Sequence, residues 1–534
     1  MSETNRVPPA GKPGTWAPLS VAAFRTLWIA QLISNTGTWM QTVGAQWLLV
    51  HQPNAAVLTA MAQAASLLPV LFISLPAGVL ADVLDRRRYL IVTQICAIAV
   101  VALLAALTAF GHATPAVVLL LTFGVGITAA LANPAWQAIQ PQLVPRELIP
   151  NAAALGSMSI NIARAIGPAV AGVIIAVWSP AVVFGLNALT TVFVLVALVR
   201  WTGERGGDRM PERIVPALRS GSRYVVNAPA VRRILVRSAL FVVPASALWA
   251  LLAVVSSSRL GLGSGGYGLL LGALGVGAVA GALLLSRIRR RLAPNQLLAL
   301  FAGVYAIGMV ATALVRSPWL LMVLLLASGV GWLVELSTFN TSLQLTLAGW
   351  VRARGLSTYL IVFLGGQGLG ALLWGAVGQL VGVTWALLAA TGLLLLGVLT
   401  LLWWPLQTES LDRTISAPWP EPAVDLPVGD SAGPVVVEVG YTVTGDPAEF
   451  LRAARQVGVS RRRTGATSWA IYRDAADRTS YVELFSVPTW GEHLRQHHER
   501  LTGYDQELEQ RLESLGVADP DRDGSTTRHL VVPD

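Results

Sequence analysis

The sequence predicts an all-α polytopic membrane protein of twelve spans in two halves of six, followed by a small α+β domain outside the membrane. Three observations carry this expectation. About twelve apolar stretches crowd Val21 to Trp404, the polar breaks between them carry arginine in strict alternation, and the chain turns polar from Pro405 onward. Of its 534 residues 54% are hydrophobic and only 13% charged, against roughly 25% charge in soluble globular chains.

The elements follow in order. Residues 1–20 form a polar, Pro/Gly-rich tail. A helix needs roughly 20 residues to cross the hydrocarbon core. The expected spans are 22–50, 55–80, 89–110, 114–137, 151–178, 180–200, 233–257, 264–286, 295–315, 318–345, 354–380 and 382–404. The first is long and holds Gln31, Asn35, Gln41 and Gln46, unlike the short apolar core of a cleaved signal, so it is expected to remain in the membrane. Residues 21–200 and 233–404 are the two six-helix bundles. Between them, 201–232 is a charged linker with Arg205, Arg209, Arg213, Arg219 and Arg223 against Glu204, Asp208 and Glu212. Pro216 to Ala228 within it has the pattern of an amphipathic surface helix.

Breaks after even-numbered spans hold Arg86 to Arg88, Arg146, the run from Arg200 to Arg237, Arg287 to Arg291, and Arg352 with Arg354. Breaks after odd-numbered spans hold only His51, His112, Arg259 and Arg316 as titratable or charged residues. Short arginine-rich loops stay on the cytoplasmic side, so both termini are expected there. The net charge of +9 then reflects orientation rather than affinity for nucleic acid. Cys96 is the sole cysteine, which excludes intrachain disulfides, cysteine-rich zinc sites and iron–sulfur clusters.

Residues 405–434 read as a flexible linker and 435–534 as a soluble domain. Val435 to Thr444 has strand character, and Asp446-Pro447 opens a helix with Phe450, Leu451, Ala454 and Val457 on one face. Ser468 to Tyr472 and Tyr481 to Ser486 alternate like a hairpin, Thr489 is placed to cap a helix through Glu509, and His529 to Val532 closes with a strand. The order β-α-β-β-α-β is that of a ferredoxin-like unit.

Gly78-Val79-Leu80-Ala81-Asp82-Val83-Leu84-Asp85-Arg86-Arg87-Arg88 resembles the glycine–aspartate–basic loop motif of the major facilitator superfamily. An echo of it, Gly281 to Leu285 before Arg287 to Arg291, occupies the same place in the second half, with leucine at the aspartate position. Asn133-Pro134, Gln140 to Glu147, Asn151-Ala152 and Ile166-Gly167-Pro168-Ala169-Val170-Ala171-Gly172 resemble the enterobactin-exporter and macrolide-efflux branch, as does Phe24-Arg25 to Trp47. The tail, with Ser460 to Ala466 and Trp490 to His498, is similar to the extra domain of some members of that branch. More distantly it is similar to the antibiotic-biosynthesis monooxygenase fold.

The resemblance implies a twelve-helix major-facilitator fold and transport by alternating access. It makes Gly78, Asp82, Arg86 and Arg87 a conformational latch, and Gly167, Pro168 and Gly172 a kink associated with exporters. Arg164 and Glu335 are the charges deep in apolar spans. Such charges are costly and usually face a cavity or a partner, and a desolvated carboxyl group can carry a proton. Asn35, Trp39, Gln46, Gln63, Asn133, Trp136 and Asn340 are the polar and aromatic candidates for a substrate cavity. Trp28, Trp178, Trp319, Trp403 and Trp404 fit interface anchors better.

Arg461 to Arg463 read as a lipid-facing or solvated turn. His493 and His497, at i and i+4, read as an ordinary solvated helix face rather than a metal site. Without a G-x-x-x-x-G-K-[S/T] loop or any flavin or haem motif, no ATP-driven pump and no cofactor are expected. The function expected is a proton-coupled secondary exporter of an amphipathic small molecule, a drug, secondary metabolite or siderophore, in contact with membrane lipids. Self-association through the tail is left open. The alternatives are an importer or facilitator of the same fold, and a membrane-anchored enzyme or regulatory module acting through 435–534.

Overall fold

The computed structural model describes residues 14, 16–201, 223–406, 414–416, 419, 428–516 and 527–532, with the side chains at 75, 79, 82, 83 and 353 outside that set. In the first half the helices are α1 (Ala22–Leu49), α2 (Ala55–Leu67), α3 (Pro69–Val83), α4 (Arg86–Ala109), α5 (Pro115–Ile139), α6 (Ile149–Val177) and α7 (Pro180–Arg200). The second half has α8 (Pro229–Val254), α9 (Ser264–Arg289), α10 (Pro294–Leu314), α11 (Pro318–Thr346), α12 (Arg352–Val381) and α13 (Val383–Leu399). They account for all twelve expected spans. Among the described residues ten helical segments are long and apolar enough to cross a membrane. The other two spans are α1, whose amides lower its hydropathy over 28 residues, and α13, with 17 residues.

Sequence punctuation explains the boundaries. Proline stands at the first position of α5, α7, α8, α10 and α11, where its missing N–H costs nothing. Asp85 caps α4 by accepting from the Arg88 N–H at 2.8 Å. Gly382, at φ 93°, supplies the left-handed turn between α12 and α13 that other residues adopt at a cost. The second expected span is two helices rather than one, broken between Leu67 and Pro69. Pro69 cannot donate to the Ala65 carbonyl. That carbonyl faces Gly126 of α5, where a Cβ would lie 2.7 Å from it.

The chain forms two compact units. The first is 1–211, 238–338 and 361–405; the second is 212–237, 339–360 and 406–534. The first contains the bulk of both bundles. One apolar core there gathers Phe24, Leu27, Leu90, Ile139, Leu155 and Leu198 from α1 and α4 to α7. α8 is buried along most of its length, whereas α4 turns Val92, Ile95 and Leu103 outward, as a central and a lipid-facing helix do. Of the expected surface helix, only 223–228 is described, with 223–227 helical; the rest lies outside the described residues.

The second unit holds a four-stranded antiparallel sheet of β1 (Val435–Thr442), β2 (Ser468–Arg473), β3 (Ser480–Val487) and β4 (Thr527–Val531), in the order β2-β3-β1-β4. α14 (Pro447–Thr464) lies between β1 and β2; α15 (Trp490–Arg495) and α16 (Gly503–Leu515) lie between β3 and β4. This is the ferredoxin-like order. The helix expected from Thr489 through Glu509 is interrupted. Thr489 does cap α15, but Gln496–Arg500 is a π-turn, and Leu501-Thr502 is extended before α16 begins. Residues 414–416 pack on α16, with Ser416 bonded to Gln506 at 2.6 Å.

The polar interior of this unit overturns two expectations. Arg461 and Arg463 do not face lipid or water. Arg461 pairs with Glu483 at 3.1 Å and with Glu509, and Arg463 pairs with Asp505. Burial alone would lower the Arg461 pKa, but the Glu483 and Glu509 carboxylates raise it above the ordinary value. Burial opposes ionisation of Asp505 too, yet Arg463 and bonds from Ser460 and Thr502 hold it below the usual carboxylate range. Leaving one such partner unpaired typically costs about 3–5 kcal/mol. His493 and His497 likewise are fully or nearly fully buried. Burial, then His497 and His529, push His493 down to about 3, so it is a neutral imidazole.

Candidate functional site

Small residues bring the two halves into backbone contact along α6 and α9. Ser264 donates to the Gly172 carbonyl at 3.1 Å. A Cβ on Gly172 would lie 2.6 Å from the Ser264 oxygen, and one on Gly268 would collide with the Pro168 oxygen. Pro168 leaves the Arg164 carbonyl, four residues earlier, without its helical donor. Gly275 covers it, with room for no side chain: a Cβ there would be 2.6 Å from that oxygen. Gly167 packs similarly on Thr36 and Trp39 of α1. α6 is assigned as one helix from Ile149 to Val177, running through the expected interruption. The removal of a single N–H is compatible with a continuous helix when the neighbouring backbone closes over it. What Gly167, Pro168 and Gly172 visibly do is admit neighbouring backbone.

Polar bonds cross between the halves beside this seam. The buried Gln46 of α1 donates to Gln63 Oε1 at 3.3 Å and to the Trp249 carbonyl at 3.4 Å, and it accepts from the Tyr267 hydroxyl. Thr59 donates to the Ala250 carbonyl at 3.1 Å. The partners of Gln46 thus lie on α2, α8 and α9.

An aromatic group adjoins these bonds. Around Trp332 of α11 stand Trp249, Phe363, Tyr305 and Phe241, with ring centroids 5.5–5.8 Å away. Trp249 reaches Trp39 of α1 at 6.0 Å. Arg164 of α6 sets its guanidinium 5.2 Å from the Trp39 ring centre, a cation–π distance worth about 0.5–2 kcal/mol. Its Nε and one terminal nitrogen have no hydrogen-bond partner. Glu335 follows Trp332 by three residues on the same helix face. It is 1% exposed, and its Oε1 accepts no hydrogen bond. Among the described residues no ion pair joins Glu335 to Arg164 or to any other cation.

The remaining candidates are dispersed. Asn35 donates to Ser159 at 3.3 Å and accepts from Gln31 at 3.1 Å, so its amide serves α1–α6 packing. Asn133 is exposed, Trp136 packs against the core of the first half, and Asn340 bonds to Gln344 on its own helix. At the loop motif, Arg86 donates to the Ala81 carbonyl at 3.2 Å. Arg87 reaches the carbonyls of Leu198 and Val199 at 2.9 and 2.6 Å, at the end of α7, where a cation complements the helix dipole. A Cβ on Gly78 would meet nothing within 4 Å. The Asp82 side chain lies outside the described residues. In the second half Arg289 bonds to the Ser337 carbonyl of α11 at 2.8 Å, an arginine contact at the position of the repeat.

Trp249, Tyr267, Tyr305 and Trp332 are not among the sequence candidates. Only Trp332 carries a signal, its spacing from Glu335.

Residues 13–531 match the family described as transmembrane secretion effector, of the major facilitator class. The chain belongs to that family. As a transmembrane secretion effector it is a multi-pass membrane transporter, and the match takes in the tail as well as the bundles. It is 26% identical over 361 residues to the multidrug efflux pump Tap of Mycobacterium bovis, covering 64% of this chain and 84% of that one. It is 28% identical over 337 residues to the enterobactin exporter EntS of Shigella boydii, covering 61% and 78%. A 154-residue stretch is 34% identical to the staphyloferrin A transporter of Staphylococcus aureus, covering 29% of this chain and 39% of that protein.

Among solved structures, a nucleoside transporter NupG variant aligns with a TM-score of 0.60 at 10% identity, over 72% of this chain and 99% of that one. A bacterial homolog of the human lysosomal transporter Spinster aligns at 0.58 and 14% identity, over 71% and 96%. These likenesses show the major-facilitator fold.

Proposed function

We propose that this transporter exports an amphipathic small molecule, of the siderophore, drug or secondary-metabolite class, in exchange for protons. The observation that carries the reading is the buried Glu335 carboxyl group, with an Oε1 that accepts no hydrogen bond and no ion-pair partner among the described residues, one turn from the aromatic group around Trp332. Aromatic faces suit a bulky apolar ligand, and Arg164 over Trp39 adds a cation for a polar or anionic portion. A carboxyl group in this setting is stable while neutral; reaching water on one side of the membrane lets it release its proton. The relatives that export enterobactin or drugs support the direction and the substrate class. Efflux from energised vesicles across a substrate panel tests this. A protonophore is expected to raise retention of at least one amphipathic substrate; equal retention of all of them with and without it would exclude the reading.

Asp82 with Arg86 and Arg87 is proposed as a latch between access states, with both termini in the cytoplasm. Asp82→Asn removes charge but little volume, so it is expected to slow transport several-fold while membrane insertion is unchanged. An unaltered rate in the same vesicles would reduce the motif to a topological loop.

A further inference from the structure

We infer that His493, His497 and His529 form a binding site for a divalent transition-metal ion of the zinc class within the ferredoxin-like domain. The three residues come from different parts of the tail. His493 ends one turn of α15, and His497 lies in the π-turn that follows. His529 stands on β4, paired in register with Val437 of β1. One ring nitrogen from each can be chosen so that all lie within 4.8 Å of one another. His493 Nε2 and His497 Nε2 are 3.2 Å apart. Two Zn–N bonds of 2.0–2.1 Å at a tetrahedral angle place their nitrogens about 3.3 Å apart. The helical pair thus already has the spacing of two ligands, and His529 needs only a small approach.

His493 and His497, four residues apart, share one helix face, and that face is buried while the neighbouring His498 is exposed.

Two further observations favour a ligand over a mere cluster of rings. The Nε2 of His529 is buried and has no hydrogen-bond partner. Each unsatisfied buried polar atom costs about 1–3 kcal/mol. The surroundings are apolar rather than ionic. Trp419 stands 4.5 Å from the His497 ring centre, and Trp490 stands 5.5 Å from His493 and 5.8 Å from His529. The nearby Arg461 is compensated by its two carboxylates, so it does not oppose a cation as a bare charge would. Three imidazoles leave at least one coordination position open. A bound ion would tie edge strand β4 to α15 and the π-turn that follows it.

The test uses the full-length protein in detergent, freed of any affinity tag, with zinc or cobalt chloride added after chelator treatment. One equivalent of zinc should bind, and cobalt should give the visible bands of a tetrahedral nitrogen site. His497→Gln and His529→Gln should each weaken binding by about tenfold or more, because a ligand nitrogen is lost. His498→Gln, on the exposed neighbour, should bind as wild type does. Near-ultraviolet circular dichroism of each variant checks its folding. If a variant does not fold, the wild-type cobalt spectrum and zinc stoichiometry decide alone. Absence of a stoichiometric ion in wild type, or equal loss with His498→Gln, would overturn the assignment, as would octahedral cobalt bands.

Discussion

Glu335→Gln should lower proton-driven efflux by about tenfold or more and flatten its dependence on pH, while substrate binding stays within a few-fold of wild type. The amide keeps the shape of the carboxyl group but cannot carry a proton, so the coupled step fails and the ligand surface survives. A protonation site has to be shielded in one state and reach water in another. The shielded condition is met here: Glu335 is 1% exposed, with no cation paired to it among the described residues. A charge held there permanently would cost several kcal/mol, a cost that a purely structural residue has no reason to carry. Transport rates and binding are to be measured across a pH series in the same vesicles. Identical pH profiles and rates for both proteins would move the coupling group elsewhere.

Gly275→Leu is the second large effect. Its Cβ would lie 2.6 Å from the Arg164 oxygen and 2.7 Å from the Ala165 nitrogen, both backbone atoms, so no rotamer change relieves the clash. Overpacking a tight contact costs about 1–3 kcal/mol, and more where backbone must separate. The α6–α9 seam of this state should therefore open, with transport falling by about tenfold to a hundredfold while the protein still inserts. Gly303 is the control. A Cβ there meets nothing within 4 Å, and alanine favours the helix by about 1 kcal/mol, so Gly303→Ala should transport normally. Equal activity of the two variants would mean that the seam does not close tightly during the cycle.

The contrast between these residues reflects what one sequence can carry. Membrane helices are legible because lipid demands long apolar runs and arginine marks the loops, so the helix order followed from Val21 to Trp404. Arg164 and Glu335 were legible as charges where charge is expensive. The aromatic group was not. A tryptophan in a membrane helix reads equally as an interface anchor, and depth within a bundle is set by tertiary packing. Trp319 and Trp403 are exposed while Trp249 and Trp332 are buried, with nothing local to distinguish them. Amides showed the same limit. Asn35 and Gln46 look alike in sequence, yet one ties α1 to α6 and the other joins the two halves.

In the tail, period-two alternation revealed the strands, and Asp446-Pro447 revealed the start of α14. The partners of Arg461 lie 22 and 48 residues away, so a basic run that is buried looked like a solvated one. The same holds for His493 and His497: their spacing puts them on one helix face, but nothing local says that this face is buried.

Proton exchange is the central claim, and purified protein reconstituted alone into liposomes tests it most directly. Substrate movement and lumenal pH are followed together after a pH gradient is imposed. Substrate should accumulate against its own gradient only while the pH gradient lasts, with protons moving the opposite way in proportion. Movement only down the substrate gradient, with lumenal pH unchanged, would contradict the account and leave a facilitator of the same fold.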